Sequence, residues 1–428
     1  MKVLFLSELF YPHGGGAEYA TYLYARSLRK AGFEIAVVTN RFEGESEFFV
    51  DDKLKVYRLR LFGKARLNKY LVLRRFDILF SIFIRGMIEW ADVVYIPRFW
   101  YTAIPLAKLF GKPVVVHLHD YIAICPLSNY YDMSKDAICS KTNGICSLKC
   151  ICTTERTVGR SLSETLYSLA SNSTFGILLG RLAQLSDAVI CVSDAQRKIL
   201  LRADARLRSK AYRIYNPILD FGEIPIEGKA FGYFGGPNCL KGFNVLYQAL
   251  RLANSNGRKI EVHATGFSDS SRSDFLQRIG LHTYRRLDGV EYKKLYKCIR
   301  CVVVPSISPE TFSYVVLEAL LAGRVVIASE IGAIPEVTRD CDGVILFPSG
   351  DYKQLAEKML YVRQLDDRTV VELGRENRAK TLEKFNNDKS LNDFAALLCQ
   401  VSEKTRAQHS FFTGLSRNDP QKFALKNG

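Results

Sequence analysis

Two doubly wound α/β domains, side by side, are the fold this sequence predicts, and three observations lead there. Short apolar runs alternate with longer helical patterns, as in βαβ units around a parallel sheet. The alternation comes in two series, separated by a stretch rich in Gly, Pro and acidic residues after Asn216-Pro217. The 428 residues suit two domains of about 200 each plus a short tail.

The first series opens with a strand at Lys2–Ser7, where one Lys precedes an apolar run that Ser7 and Glu8 cut off. A secretory leader needs a longer uninterrupted stretch, so the run reads as a buried strand. A helix at Glu18–Ala31 carries apolar residues on a repeated face, and strands follow at Glu34–Thr39, Val93–Ile96, Val114–His117 and Ala188–Val192. These make a domain over 1–217, with a linker at 218–228. The second series reads strand Ala230–Phe234, helix Lys241–Asn254, strand Lys259–Thr265, helix Tyr292–Cys298, strand Cys301–Pro305, helix Thr311–Leu321 and strand Val325–Ala328. It fills a domain over 229–383. Residues 384–404 read as a further helix, and 405–428, polar and aperiodic, as a flexible tail.

Composition narrows the class. With 48% hydrophobic and 24% charged residues, the chain is neither largely disordered, collagen-like, nor a small disulfide scaffold. No segment offers about 18 consecutive apolar residues, so no spanning helix is expected and the expected location is cytoplasmic. Sixty basic against 44 acidic side chains give a net charge of +16, which suits an anionic partner. Residues 53–75 hold nine Lys or Arg and no acidic residue. They lead into an amphipathic stretch and read either as a solvated basic edge or as a contact with an anionic membrane or lipid phosphate. No nucleic-acid module is recognisable, so nucleic acid is not expected as a partner.

Glycine loops open both series. Gly14, Gly15 and Gly16 lead into a helix whose N-terminus favours an anion, without the dinucleotide or P-loop fingerprint. Gly235 and Gly236 follow the first strand of the second series, and Lys241 comes next. An ammonium at a helix start is disfavoured by the dipole unless an anion intervenes, and a bound diphosphate would be such an anion. Glu310 and Glu318 stand eight residues apart. That is about 12 Å along a helix, too far for a paired acid and base on one bond but suited to gripping two parts of an extended ligand. His119 and Asp120 follow a strand, at the end that faces the usual crevice of a parallel sheet.

Of 11 Cys, five cluster as Cys125, Cys139, Cys146, Cys150 and Cys152 in a loop with little apolar material. A structural zinc or other thiolate-bound metal on Cys139, Cys146, Cys150 and Cys152, with Cys125 as alternative ligand, would order it. Disulfides and free thiols are the other readings.

The pattern resembles the large retaining glycosyltransferase family 4, in a branch with a cysteine-containing loop in its N-terminal domain. The resemblance rests on Phe10-Tyr11-Pro12-His13-Gly14-Gly15-Gly16-Ala17-Glu18, Ala31-Gly32-Phe33-Glu34-Ile35, His119-Asp120, Lys241-Gly242, Pro305-Ser306, Glu310 through Glu318, and Gly332-Ala333-Ile334-Pro335-Glu336. It implies the GT-B architecture, two Rossmann-like domains facing across a cleft, with the last helix returning to the N-terminal domain. It also implies that Glu318 holds the ribose, Glu310 the donor sugar and Lys241 the diphosphate. Backbone amides around Phe312, Ser313 and Tyr314 and the Gly14–Gly16 loop would stabilise negative charge, with His119 at the reacting centre. His13, Glu18 and Asp120 would support the acceptor side. The family's usual Arg is replaced near Gly236, with Arg324 or Lys294 as conceivable substitutes, and its usual glycines are Thr311 and Ser313 here.

The expected activity is metal-independent, retaining transfer of a hexose or N-acetylhexosamine. The donor is a UDP- or GDP-linked sugar; the acceptor is a hydroxyl of a glycan, lipid-linked sugar or polysaccharide precursor. The alternatives are a non-hydrolysing sugar-nucleotide epimerase and a catalytically weak sugar-nucleotide-binding subunit.

Overall fold

A computed structural model describes residues 1–51, 54–60, 80–98, 100–141, 146–255, 257, 260–268, 274–287 and 289–417. Most of the basic region 53–75 lies outside the described residues.

The first sheet is built from β1 (Lys2–Leu6), β2 (Glu34–Asn40), β3 (Phe48–Asp51), β4 (Leu54–Leu59), β5 (Val93–Ile96), β6 (Val114–Leu118), β9 (Ala188–Cys191) and β10 (Ala211–Arg213). Its order is β10-β9-β6-β5-β1-β2-β4-β3, parallel throughout except for the hairpin of β3 with β4. Leu4 pairs with Ala36 on one side and Val94 on the other, so β1 lies inside the sheet. Successive side chains of β1 enter opposite cores: Leu4 and Leu6 join one apolar cluster, Val3 and Phe5 another. This two-sided burial explains why the strand reads as a continuous apolar run.

The second sheet comprises β11 (Ala230–Tyr233), β12 (Val262–Thr265), β13 (Leu281–Tyr284), β14 (Ile299–Val304), β15 (Val325–Ser329) and β16 (Val344–Phe347). All its pairs are parallel, in the order β13-β12-β11-β14-β15-β16. β14 splits its side chains in the same way, Val302 and Val304 to one core and Cys301 and Val303 to the other.

A small two-stranded ladder, β7 (Tyr131–Asp132) with β8 (Ala137–Ile138), and the helices Leu148–Thr157 and Leu162–Gln184 form an insertion between β6 and β9. The sequence reading placed no helices there. Helix Leu162–Gln184 buries Thr165, Ser168, Ser171 and Asn172 and exposes Leu162 and Leu166, so its first half has no apolar core face to betray it. The buried polar groups are satisfied locally, Ser168 Oγ donating to Glu155 Oε1 at 2.6 Å.

The last helix spans Asn387–Arg417. It continues past Thr405, where the sequence suggested a flexible tail, while residues 418–428 lie outside the described residues. Phe394, Leu397, Leu398 and Val401 enter the N-terminal core, with the Phe394 ring 4.5 Å from Tyr24 and 5.0 Å from Tyr95. Among the described residues, no helix is long and apolar enough to cross a membrane.

Candidate active site

The two sheets present the C-terminal ends of their strands to a common cleft. His119 follows β6, Gly235 lies two residues beyond β11, and Glu310 lies in the loop after β14. His119, Gly235, Lys241, Ser306, Glu310 and Phe312–Val315 line one cavity of about 220 Å³. A second cavity, about 380 Å³, is lined by Tyr11–Gly16, Tyr19, Arg286, Tyr314 and Glu318 among others. Tyr314 lines both, and Gly16 packs so closely on its ring that a Cβ there would overlap it.

Lys241 and Glu310 meet directly. Lys241 Nζ donates to Glu310 Oε1 at 2.8 Å and Oε2 at 3.0 Å, and Ser306 Oγ donates to Oε1 at 2.6 Å. Burial alone would raise the Glu310 pKa, but the Lys241 charge and these hydrogen bonds hold it below the ordinary carboxylate value. Lys241 ends a 3-10 turn, Cys239–Lys241, and the helix begins at Phe243, later than the sequence suggested. Gly242 between them has φ 78°, and a Cβ there would collide with Pro305 O, so glycine is required at this joint. Glu310 likewise precedes its helix, Tyr314–Leu321, so the two glutamates are not on one helical face as a simple spacing implied. Ser313, the N-cap, takes φ 59°, a left-handed conformation usually left to glycine. Ser313, Tyr314 and Val315, at the start of the helix, line the cavity, and first-turn N–H groups have no partner within their own helix.

Glu318 is one turn further on. Tyr292 donates to its Oε2 at 3.0 Å, and burial raises its pKa against that hydrogen bond. Arg286, which the sequence reading missed, shares its cavity and donates to Gly14 O at 3.3 Å across the cleft. Only contact between the domains reveals it, because the residue lies in an exposed loop with no motif. Gly236 does not line either cavity, and its carbonyl accepts from Tyr233. Neither suggested substitute for the family arginine reaches the cleft. Arg324 is fully buried and donates to the carbonyls of Ile224, Ala322 and Tyr296 at 2.6, 2.6 and 2.8 Å. Lys294 is exposed on helix Gly289–Cys298, outside both cavities.

On the opposite wall, His119 stacks on His117 with ring centres 4.3 Å apart. Burial pushes its pKa down to about 3, so the ring is neutral at physiological pH. Asn216 Nδ2 lies 3.3 Å from Nδ1; with Nδ1 accepting from this amide, the ring proton sits on Nε2. That Nε2 has no hydrogen-bond partner among the described residues. Asp120 does not turn to the cavity: its Oδ1 accepts from Ile122 N at 2.8 Å. Glu18 is buried under the glycine loop, accepting from Gly15 N at 2.7 Å, and His13 pairs with Glu45 at 2.8 Å.

In the cysteine loop Cys146 hydrogen-bonds to Cys150, and Cys125 and Cys139 lie near enough to Cys146 to interact with it electrostatically. Among the described residues, no three His, Cys, Asp or Glu side chains stand where they would hold a metal. Cys125 and Cys150 are buried in the N-terminal core, with Cys139 and Cys146 packed against it, and Cys152 is half-buried. Cys150 Sγ reaches Tyr131 O at 3.7 Å.

Two facing Rossmann-like α/β sheets across a cleft make the GT-B architecture. Residues 14–218 match the family model described as Glycosyltransferase Family 4, and residues 228–364 that of Glycosyl transferases group 1. Together these two matches support a glycosyltransferase of the group 1 and family 4 set. It is 25% identical over 362 residues to an "Uncharacterized 42.6 kDa protein in cps region" of Klebsiella pneumoniae, covering 79% of this chain and 88% of that protein. Its fold is similar to sucrose-phosphate synthase from Thermosynechococcus elongatus, at TM-score 0.69 and 15% identity, over 94% of this chain and 98% of that one. It is also similar to HepE of Anabaena in complex with UDP-glucose, at TM-score 0.63 and 16% identity, over 94% and 100%.

Proposed function

We propose that the chain is a retaining transferase. It moves a hexose or N-acetylhexosamine from a nucleotide diphosphate sugar to a hydroxyl of a glycan, lipid-linked sugar or polysaccharide precursor. The observation that carries this reading is the single cavity in which Lys241, Glu310, the start of helix Tyr314–Leu321 and the unpartnered Nε2 of His119 converge. Such a set has a cation for a leaving diphosphate, a carboxylate for sugar hydroxyls and a neutral donor for a sugar oxygen. The similar folds include HepE solved with UDP-glucose and TarM solved with UDP and alpha-GlcNAc-glycerol, which favours a UDP-linked donor, with GDP as the alternative.

In this reading the bond from the anomeric carbon to the diphosphate breaks, and its electron pair leaves on the diphosphate oxygen. Lys241 and the backbone N–H groups near Ser313 stabilise that charge as it develops. The acceptor oxygen attacks the same face, and its proton passes to the leaving phosphate oxygen. Glu318 grips the ribose hydroxyls from the second cavity. His13 and the Gly14–Gly16 loop close over the donor from the N-terminal side.

An anionic membrane surface is the proposed meeting place with a lipid-linked acceptor. Phe80 and Ile82, 74% and 87% exposed beside exposed Arg85, support it from the described residues flanking the basic region. The test is a panel of labelled nucleotide sugars offered with lipid and oligosaccharide extracts. Label in an acceptor, lost in Lys241→Ala and Glu318→Ala, supports transfer. Donor turned over without acceptor would favour the epimerase instead. Binding without any turnover would favour the non-catalytic subunit that the lost arginine at Gly236 suggests.

A further inference from the structure

Three carboxylates surround one guanidinium beneath the N-terminal wall of the cleft. Arg98, in the loop after β5, bonds to Glu18 through Nη1, lies 3.5 Å from Glu8 Oε1 through Nε, and 3.7 Å from Asp120 Oδ2 through Nη2. Each carboxylate belongs to a different piece of the wall. Glu18 holds the glycine loop through Gly15 N, and the loop packs on it so tightly that a Cβ at Gly14 would come within 2.5 Å of Glu18 Cγ. Asp120 adjoins His119 and orders the turn to Ile122, and Gln196 ties its carbonyl to helix Asp194–Ala203. Glu8 follows β1 and is 1% exposed, and neither of its carboxylate oxygens has a hydrogen-bond partner.

We propose that Arg98 is a positioning residue for the transfer reaction: its planar fork sets the separation between the Gly14–Gly16 loop and His119. This rests on the reading of the cleft as a glycosyl-transfer site. The two segments have no direct bond to one another among those described, and both face the C-terminal domain. The loop meets Tyr314 and Arg286, and His119 O accepts from Thr311 Oγ1 at 3.0 Å. A guanidinium binds two or three carboxylates at fixed angles, whereas an ammonium is a point charge without that geometry. Charge alone would not explain the arrangement, since three acids around one base leave it over-supplied with negative charge. Displacement of a reacting group by about 1 Å costs on the order of 100-fold in rate.

The experiment compares wild type, Arg98→Lys and Arg98→Ala by three readouts: thermal unfolding, amide hydrogen exchange, and steady-state kinetics with a UDP-sugar donor. Exchange is expected to rise together in the segments around Gly14–Gly16 and His119–Ile122 in both variants, with the C-terminal domain unchanged. Turnover is expected to fall on the order of 100-fold with donor KM changed by less than about threefold, because Lys241, Glu310 and Glu318, on the other domain, keep their hold on the donor. Added methylguanidinium should restore part of the turnover of Arg98→Ala, and methylammonium should not. Unchanged exchange in either segment overturns the positioning role whatever the activity. Raised exchange with wild-type turnover overturns its relevance to transfer. If Arg98→Ala does not fold, Arg98→Lys and Glu18→Gln carry the same comparison. A wild type that turns over no donor counts against the functional reading, and the exchange data then judge the clamp separately.

Discussion

Lys241 Nζ lies 2.8 and 3.0 Å from the two carboxylate oxygens of Glu310, so the two charges that line the first cavity neutralise one another. The sequence reading asked for an anion beside Lys241, and the protein supplies its own. A diphosphate must compete with that carboxylate. Glu310→Gln is therefore expected to tighten binding of UDP several-fold while lowering turnover, because the sugar loses its carboxylate contact. Calorimetric titration with UDP checks the first half, and weaker binding in this variant would refute the competition.

The same pair makes stability depend on pH. The folded Glu310 pKa is depressed, so its contribution is present above the unfolded value near 4.5 and is lost as pH falls through the lower folded value. Lys241→Ala should remove it and leave a buried, unpaired carboxylate. Lys241 is 47% exposed, so the cost is about 1–2 kcal/mol by urea unfolding at pH 7, less than for a fully buried pair.

Glu8 has the opposite sign. Burial, opposed by Arg98, raises its pKa to about 7. The native state keeps a proton there that the unfolded chain releases above pH 4.5, so stability falls as pH rises toward 7. At about 1.4 kcal/mol per pKa unit, the decline is about 3 kcal/mol. Glu8→Gln should abolish it, and matched denaturation curves at pH 5 and pH 8 measure the difference. An equal pH slope in the variant would exclude Glu8 as its source.

Tyr292 is predicted to tune Glu318. Its hydrogen bond opposes the upward push of burial, so Tyr292→Phe should raise the Glu318 pKa further. If ribose hydroxyls need the carboxylate, UDP binding by this variant should weaken more at acid pH than at alkaline pH, relative to wild type. Parallel loss at both pH values would mean that Tyr292 acts by packing alone.

Glu336 joins the domains. Its oxygens accept from Asp194 N at 2.9 Å, Ala195 N at 2.7 Å and Tyr215 OH at 2.9 Å, at the start of a helix in the N-terminal domain. A carboxylate at that helix end also meets the positive end of its dipole. Glu336→Gln should cost about 1–3 kcal/mol and raise exchange at the Asp194 and Ala195 amides. Unchanged exchange there would remove Glu336 from the interface.

Sequence alone marked the inner strands and the candidate site loops, while β3, β4, β7, β8, β13 and β16 were not read from it. β1, β5, β6, β9, β11 and β14 are short and buried on both faces, so their apolar runs mark them directly. Gly14–Gly16, Lys241, Glu310 and Glu318 stood out for the same reason, since glycine and charge are costly where nothing uses them. Only tertiary structure decided their partners. The first half of helix Leu162–Gln184 hides polar residues and exposes Leu162 and Leu166, so its hydrophobic pattern does not foretell where it begins. Arg98 with Glu8, Glu18 and Asp120, Lys241 with Glu310, Arg286 with Gly14, and Glu336 with the amide of Asp194 join residues distant in the chain. Such pairs depend on how strand ends meet and how two sheets face, and periodicity in one segment carries no information about the charge opposite it.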